Sequence, residues 1–156
     1  MSIKVLLFPH SHYCEKVCRV LDYKGLPFQA VSLLPGFHMI TVRRYAKETS
    51  VPLLLDGHEA VQGSSKIIDY LDQMYTTPSL TPENADERRL CFEIESDMDE
   101  KLGANLRQIL YSRLLDYPDF IRHCFTHPMP KWKQSVFSLL YPLLQIKIYK
   151  SYVVST

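Results

Sequence analysis

Several features that mark particular classes of protein are scarce or absent in this sequence of 156 residues. The charge is nearly balanced, with 18 basic and 17 acidic side chains, and no long basic run offers an electrostatic footprint for nucleic acid. The four cysteines have no framework spacing, which favours reduced thiols and a cytoplasmic protein over a disulfide-rich secreted one. The first residues lack the pattern of a signal peptide.

Long apolar runs are also missing. The longest late apolar segment, residues 136–146, is interrupted by Pro142 and is shorter than the ~20 apolar residues that a membrane-spanning helix needs. A buried or interface helix is therefore expected there. A hydrophobic share of 46% is enough to fill a core, so disorder is not expected.

The first half of the sequence alternates between strand and helix patterns. Gly25 marks the end of the first helix, and Asp56-Gly57 is a two-residue hairpin turn signal. The predicted order is β-α-β-α-β-β-α, with a right-handed β-α-β crossover at its start. Strands are predicted over 3–8, 27–32, 53–55 and 59–62, and helices over 13–24, 38–47 and 64–75.

The second half is predicted to be helical. Residues 77–82 are rich in Pro and Thr and read as a linker, so that 1–76 and 83–156 are the expected domains. Helices are expected over 83–113, with Gly103 weakening the middle, over 116–125, and from about 130 to 153 with a bend at Pro142.

The stretch Ser11-His12-Tyr13-Cys14 follows the first predicted strand and opens the first predicted helix. Unpaired N–H groups and a partial positive charge at a helix N-terminus stabilise a thiolate, and a serine hydroxyl there can donate a hydrogen bond to it. Ser64 opens another predicted helix, where the same groups suit a carboxylate. Together these residues favour a site for a thiol peptide.

Four stretches, 11–17, 24–28, 50–54 and 63–71, resemble the N-terminal domain of the glutathione transferase superfamily. The resemblance covers residues 3–75 and implies an α/β thioredoxin-like N-terminal domain followed by an all-α C-terminal domain, here short for the family. It also implies glutathione as cosubstrate, an apolar electrophile as second substrate, and no metal.

The resemblance assigns roles to residues of this sequence. Ser11 falls at the catalytic position that faces the glutathione sulfur, and Cys14 falls at the resolving position. Val51-Pro52 matches a cis pair, in which the residue before proline pairs its backbone with the cysteinyl part of glutathione. Ser64 matches the serine that binds the γ-glutamyl carboxylate. The implied glutathione-binding residues are Tyr13, Val51, Pro52, Ser64 and Ser65.

Two positions depart from the family pattern. His12 stands where a proline is usual, which loosens the loop and adds a titratable group. Gly63 stands where an acidic or amide side chain is usual, and Gln62 lies one position before it. One contact to the ligand is therefore expected to be missing.

Simpler interpretations exist for each of these residues. Ser11 and Ser64 could be ordinary helix N-caps, and Cys14 could be a small buried side chain. His123 and His127, beside Cys124, have the spacing of two metal ligands, but no fourth ligand is evident and solvated or capping roles are favoured.

The resemblance implies attack of the glutathione thiolate on an electrophile, with Ser11 stabilising the thiolate. Glutathione-dependent disulfide exchange or isomerisation using Cys14 is one alternative, and a non-catalytic binding module is another. The late helix is expected to expose Leu140, Leu143, Leu144 and Ile148, which predicts a homodimer that covers them.

Overall fold

The computed structural model describes residues 2–127 and 129–152, with side chains as far as Lys150. The chain forms two compact units, Met1–Leu33 with Phe37–Glu93 and Leu34–Gly36 with Ile94–Thr156. The division falls within a helix, and residues 77–82 belong to the first unit.

The first unit contains a four-stranded mixed sheet of order β2-β1-β3-β4. Strand β1 pairs in parallel with β2 and antiparallel with β3, and β3 pairs antiparallel with β4. The apolar side chains of β1 and β3 are buried because both are central strands. The strands are β1 (Ile3–Leu7), β2 (Phe28–Ser32), β3 (Leu53–Asp56) and β4 (Glu59–Gln62).

Three helices lie entirely within this unit: α1 (His12–Tyr23), α2 (His38–Val42) and α3 (Ser64–Met74). Apolar residues at helical spacing place one face of α1 and one face of α3 in a common core with the sheet. The fully or nearly buried members of that core are Ile3, Val5, Leu7, Cys14, Val17, Leu21, Leu54, Ile67 and Leu71.

Helix α1 ends where the sequence predicted. Gly25 has a φ of 66°, and its N–H donates to the carbonyl of Asp22 at 3.0 Å. The N–H of Leu26 donates to the carbonyl of Leu21 at 3.0 Å. This pair of bonds is the Schellman arrangement, which satisfies carbonyls that the helix end would leave unpaired.

The predicted element order and the α/β thioredoxin-like class are confirmed. Two local expectations are wrong. Helix α2 ends at Val42 and not near residue 47, because a run of β-branched residues weakens it and only Val42 anchors it in the core. The hairpin turn is Gly57-His58, one residue later than expected, because Asp56 pairs with Glu59.

The second unit is helical, as predicted, with α4 (Ala85–Asp97), α5 (Ala104–Leu114), α6 (Pro118–Thr126) and α7 (Lys131–Tyr152). Helix α4 begins in the first unit, where the Asn84 side chain accepts hydrogen bonds from the N–H groups of Asp86 (2.9 Å) and Glu87 (3.2 Å). The long helix expected over 83–113 is interrupted by a π-helical segment, Met98–Gly103. This segment ends at Gly103, the residue that was expected to weaken the middle of the helix.

The core of the second unit lies between α5, α6 and α7. Its buried members are Leu34, Leu115, Ile121, Met129, Phe137 and Tyr141. Leu144 and Ile148 pack against this core, so the expectation that they would be exposed is wrong: they lie on the same face of α7 as Tyr141. Leu140 is half-buried, while Leu143 is 68% exposed, as expected.

Helix α7 contains Pro142 within its length, and its predicted end at Val153 lies outside the described residues. Over residues 2–127 and 129–152, no helix is both long enough and apolar enough to cross a membrane.

Candidate functional site

The strand register brings three predicted site segments to one end of the sheet. Strand β1 runs toward this end and is followed by Ser11 at the start of α1. Strand β3 is antiparallel to β1, with Leu53 opposite Leu6, so Val51-Pro52 precedes β3 at the same end. Strand β4 returns to this end and leads into Ser64 at the start of α3. Both helix N-termini, with their partial positive charge, therefore point to this end.

Ser11 occupies the N-cap position of α1 but does not act as a side-chain cap. Its carbonyl accepts the first helical hydrogen bond, from the N–H of Glu15 at 2.8 Å, while its hydroxyl makes no capping bond. The Ser11 side chain instead forms a hydrogen bond with the thiol of Cys14. The simple N-cap interpretation of Ser11 therefore does not describe its hydroxyl.

Cys14 lies in the core of the first unit and is only 2% exposed. Burial raises the pKa of its thiol, and hydrogen bonds with the Ser11 side chain and the Phe8 backbone only partly oppose this effect. A thiol with these properties is protonated at neutral pH and inaccessible to a substrate. Cys18, one turn later, has a pKa raised to about 11, first by burial and then by Glu15.

Val51 and Pro52 form the entrance to β3. The bond between them is cis, as predicted. Pro52 is fully buried, and its carbonyl accepts a hydrogen bond from the N–H of Gly63 at 3.0 Å. Among the described residues, the backbone of Val51 itself has no hydrogen-bond partner. Its N–H and C=O groups are thus available to an extended peptide, in the manner of an added strand.

Ser64 is the first residue of α3 and is buried, whereas its neighbour Ser65 is exposed. The first intrahelical bond runs from the N–H of Ile67 to the carbonyl of Gly63 at 3.0 Å. The N–H groups before Ile67 thus lie at the helix start, where they have no intrahelical acceptor. An anion placed there would be favoured by these donors and by the helix dipole.

Gly63 joins β4 to α3 with a φ of 94° and a ψ of 139°. Residues with a side chain rarely adopt this backbone conformation, so glycine is suited to it. A Cβ atom built at this position would have no heavy atom within 4 Å. The position therefore has room for the acidic or amide side chain that the resemblance expects, but the backbone would be strained by it.

Gln62 does not replace that missing side chain. Its Nε2 atom donates to the carbonyl of Ser50 at 2.7 Å and to the carbonyl of Glu48 at 3.1 Å. The amide group is thus committed to the loop that precedes Val51. In the sequence, Gln62 stands out only because it precedes Gly63, and no local pattern indicates this contact.

His12 and Tyr13 begin α1 on its solvent side. His12 is exposed and Tyr13 is half-buried, and their rings lie 4.0 Å apart between centroids. His10, just before them, has a φ of 63°, which is uncommon for a residue with a side chain.

A buried ion pair that sequence reasoning missed lies at the C-terminal ends of α1 and α3. Lys24 Nζ donates to Asp72 at 2.9 Å and to the carbonyls of Tyr75 (2.6 Å) and Pro78 (2.7 Å). Asp72 also accepts bonds from Leu80 N–H at 2.8 Å and the Thr81 hydroxyl at 2.6 Å. Burial would raise the pKa of Asp72, but these partners lower it to about 2. The pair fixes the 77–82 segment to both helices.

A shallow cavity of about 300 Å³ lies beside the C-terminal half of α1, away from Ser11. Its lining residues are Arg19, Val20, Tyr23, Ser79 and Leu80. None of the predicted site residues contributes to it.

His123 and His127, the pair with the spacing of metal ligands, are close together: their ring centroids lie 4.5 Å apart. Within residues 2–127 and 129–152, however, no three or more His, Cys, Asp or Glu side chains are grouped as a metal ion would need.

Comparison with known proteins identifies the first unit. Residues 7–79 match the family described as "Glutathione S-transferase, N-terminal domain". No curated protein sequence matches the chain. Many solved structures do, and three of them show the range of similarity.

A glutathione S-transferase from Methylobacterium radiotolerans, solved with glutathione sulfonate, is 28% identical, with a TM-score of 0.62 over 71% of this chain and 51% of its own. A glutathione transferase homologue from Burkholderia, solved with bound glutathione, is 20% identical, with a TM-score of 0.55 over 73% and 68%. The Tau class glutathione S-transferase of mango, Mangifera indica, is 13% identical, with a TM-score of 0.61 over 97% and 79%.

The chain thus spans about half the length of the Methylobacterium protein, and the two less similar structures support the fold alone. The family match covers the sheet and helices that carry the three converging segments. Residues 7–79, the thioredoxin-like part of the chain, thus form a glutathione S-transferase N-terminal domain.

Proposed function

We propose that the protein is a glutathione transferase in which residues 1–76 form the glutathione-binding domain, 77–82 a linker and 83–156 a helical domain. Glutathione is the cosubstrate, and its thiolate sulfur supplies the electron pair of a new bond to an apolar electrophile, which releases a leaving group or takes up a proton in return. The observation that carries this proposal is the meeting of Ser11, the unpaired Val51 backbone and Ser64 at one end of the sheet.

The γ-glutamyl and cysteinyl parts of a glutathione molecule each have a chemically suitable partner in this arrangement. The start of α3 at Ser64 and Ser65 suits the γ-glutamyl carboxylate. The Val51 backbone suits the cysteinyl peptide groups, and a ligand bound in this way would have its sulfur toward the start of α1. There the Ser11 hydroxyl, which makes no capping bond, can donate to a thiolate and stabilise it.

The alternative of disulfide exchange by Cys14 is disfavoured by the properties of that thiol. Attack requires an exposed thiolate, but Cys14 is buried and its pKa is raised. The second alternative, a binding module without catalysis, is favoured by one observation: Gly63 provides no side chain for the ligand. Retained glutathione binding without conjugation would select that alternative.

Two substitutions distinguish these functions. Ser11→Ala should lower the turnover of glutathione conjugation about tenfold to hundredfold while changing glutathione affinity little, because the hydroxyl acts on the thiolate. Cys14→Ser should reduce conjugation less. A greater loss with Cys14→Ser and none with Ser11→Ala would favour disulfide exchange.

A homodimer belongs to this proposal because α7 has a second apolar face, turned to solvent. Leu139 is 80% and Leu143 68% exposed, and Trp132 and Ile146 lie on the same side of the helix. Light scattering should give twice the mass of 18.2 kDa, and Leu139→Glu with Leu143→Glu should give the monomer mass. A wild-type monomer at micromolar concentration would contradict the dimer.

A cytoplasmic location is also proposed. The four cysteines are free in the structure, as thiols in a reducing compartment are.

A further inference from the structure

The loop that leads into β3 is held from two sides around Val51. On one side, the Gln62 side chain donates to the carbonyls of Ser50 and Glu48. On the other side, the N–H of Gly63 donates to the carbonyl of Pro52. Val51 lies between two bonded carbonyls while its own N–H and C=O groups are unpaired among the described residues.

The chemistry of these contacts fixes the orientation of the Gln62 amide. Two carbonyl oxygens lie within 3.1 Å of the Nε2 atom, and carbonyls only accept hydrogen bonds. The NH2 group must therefore face the loop, and both of its donors are used. A side chain of the same shape without donors could not hold the loop in this way.

The consequence of holding the loop is a lower entropic cost of binding. An extended backbone that pairs with a peptide must be ordered in one conformation, and this ordering opposes binding if the free loop is mobile. The residues after Val51 are already ordered by Pro52 and the sheet. Among the described residues, the only side-chain hydrogen bonds to the backbone of residues 48–50 come from the Gln62 amide.

We infer that Gln62 is a positioning residue for the glutathione site: it orders residues 48–50 so that the Val51 backbone is ready to pair with the cysteinyl part of the ligand. The inference rests on the proposed function, since glutathione binding is what the ordered loop serves. Gln62 itself acts through Val51.

Three substitutions test the role of the amide donors. Gln62→Met keeps the length of the side chain and removes the donors, and should weaken glutathione binding about tenfold, the effect of one or two residues that must be ordered on binding. Gln62→Glu places a carboxylate oxygen against two carbonyls and should weaken binding more. Gln62→Lys restores donors at the same place and should bind within about threefold of wild type.

Calorimetric titration with glutathione, at a temperature well below every Tm, measures these affinities. If Gln62 had a purely structural role, all three substitutions would lower Tm, but the Kd values would not rank in the order Gln62→Lys, Gln62→Met, Gln62→Glu from tightest to weakest. Equal Kd for Gln62→Met and wild type would overturn the inference.

Backbone NMR relaxation in the ligand-free protein separates this inference from the proposed function. The amide order parameters of residues 48–50 should be lower in Gln62→Met than in wild type if Gln62 orders the loop. If wild type binds no glutathione, the proposed function fails, and lower order parameters in Gln62→Met would still support the ordering of the loop by Gln62. Unchanged order parameters would overturn it.

Discussion

Substitution of Gly63 separates the strain of its backbone from the contact that its side chain could supply. Its φ of 94° is costly for any residue with a Cβ, by about 1–3 kcal/mol. No heavy atom lies within 4 Å of a Cβ there, so no steric clash adds to this cost. Gly63→Ala should therefore lower Tm by about 2–4 °C per kcal/mol of strain.

The strain is present with and without ligand, so it should affect stability and leave affinity unchanged. Gly63→Glu should lower Tm as much as Gly63→Ala does, but it adds a carboxylate beside Ser64, and this carboxylate can accept a hydrogen bond from the α-ammonium of a bound γ-glutamyl group. One hydrogen bond to a charged group contributes about 1.5–3 kcal/mol, a tenfold to hundredfold gain in affinity.

Thermal unfolding and calorimetric titration with glutathione, both on wild type and the two variants, provide the comparison. Equal Kd for Gly63→Glu and Gly63→Ala would contradict this prediction, since the carboxylate would then have no contact with the ligand. A gain of affinity in Gly63→Ala would also refute it, because alanine offers no polar group.

Three further predictions concern the stability of the first unit and are measured by chemical or thermal unfolding. Lys24→Met leaves the Asp72 carboxylate buried without its cation and should cost about 3–5 kcal/mol, whereas Lys66→Met, at an exposed position, should stay within about 0.5 kcal/mol. The pKa of Asp72 is about 2 in the folded state, below the ordinary value of 3.8, so its ionised form adds roughly 2 kcal/mol to the free energy of unfolding above pH 4. This contribution is lost as the pH falls toward 2, and Asp72→Asn should remove the acid-dependent loss. Gly25→Ala should lower the free energy of unfolding by about 1 kcal/mol, because alanine is strained at a φ of 66°; no steric clash adds to this cost, since no heavy atom lies within 4 Å of a Cβ there. An unchanged free energy of unfolding would contradict the Schellman ending of α1.

The parts of the fold that were predictable from the sequence depend on local patterns. Apolar periodicity, Gly25 and the Val51-Pro52 pair act over a few residues, and the strands and helices that they predict are present. The end of α2 was not predictable, since tertiary contact of a single residue, Val42, decides how much of a weak helix survives.

The candidate site was predictable as a set of segments but not as a geometry. Motifs placed Ser11, Val51 and Ser64 in order along the chain, while their meeting at one end depends on strand register. Contacts between distant residues left no local pattern: Lys24 and Asp72 are 48 positions apart, and Gln62 reaches back 12 positions to Ser50.

The glutathione site is tested most directly by titrating the isotope-labelled protein with glutathione and following the amide chemical shifts. A glutathione site at this end of the sheet predicts saturable shifts at residues 11–14, at Val51 and at Ser64 and Ser65, with smaller shifts beside the cavity that Tyr23 lines. Shifts confined to that cavity, or no shifts at millimolar glutathione, would contradict the proposed glutathione site.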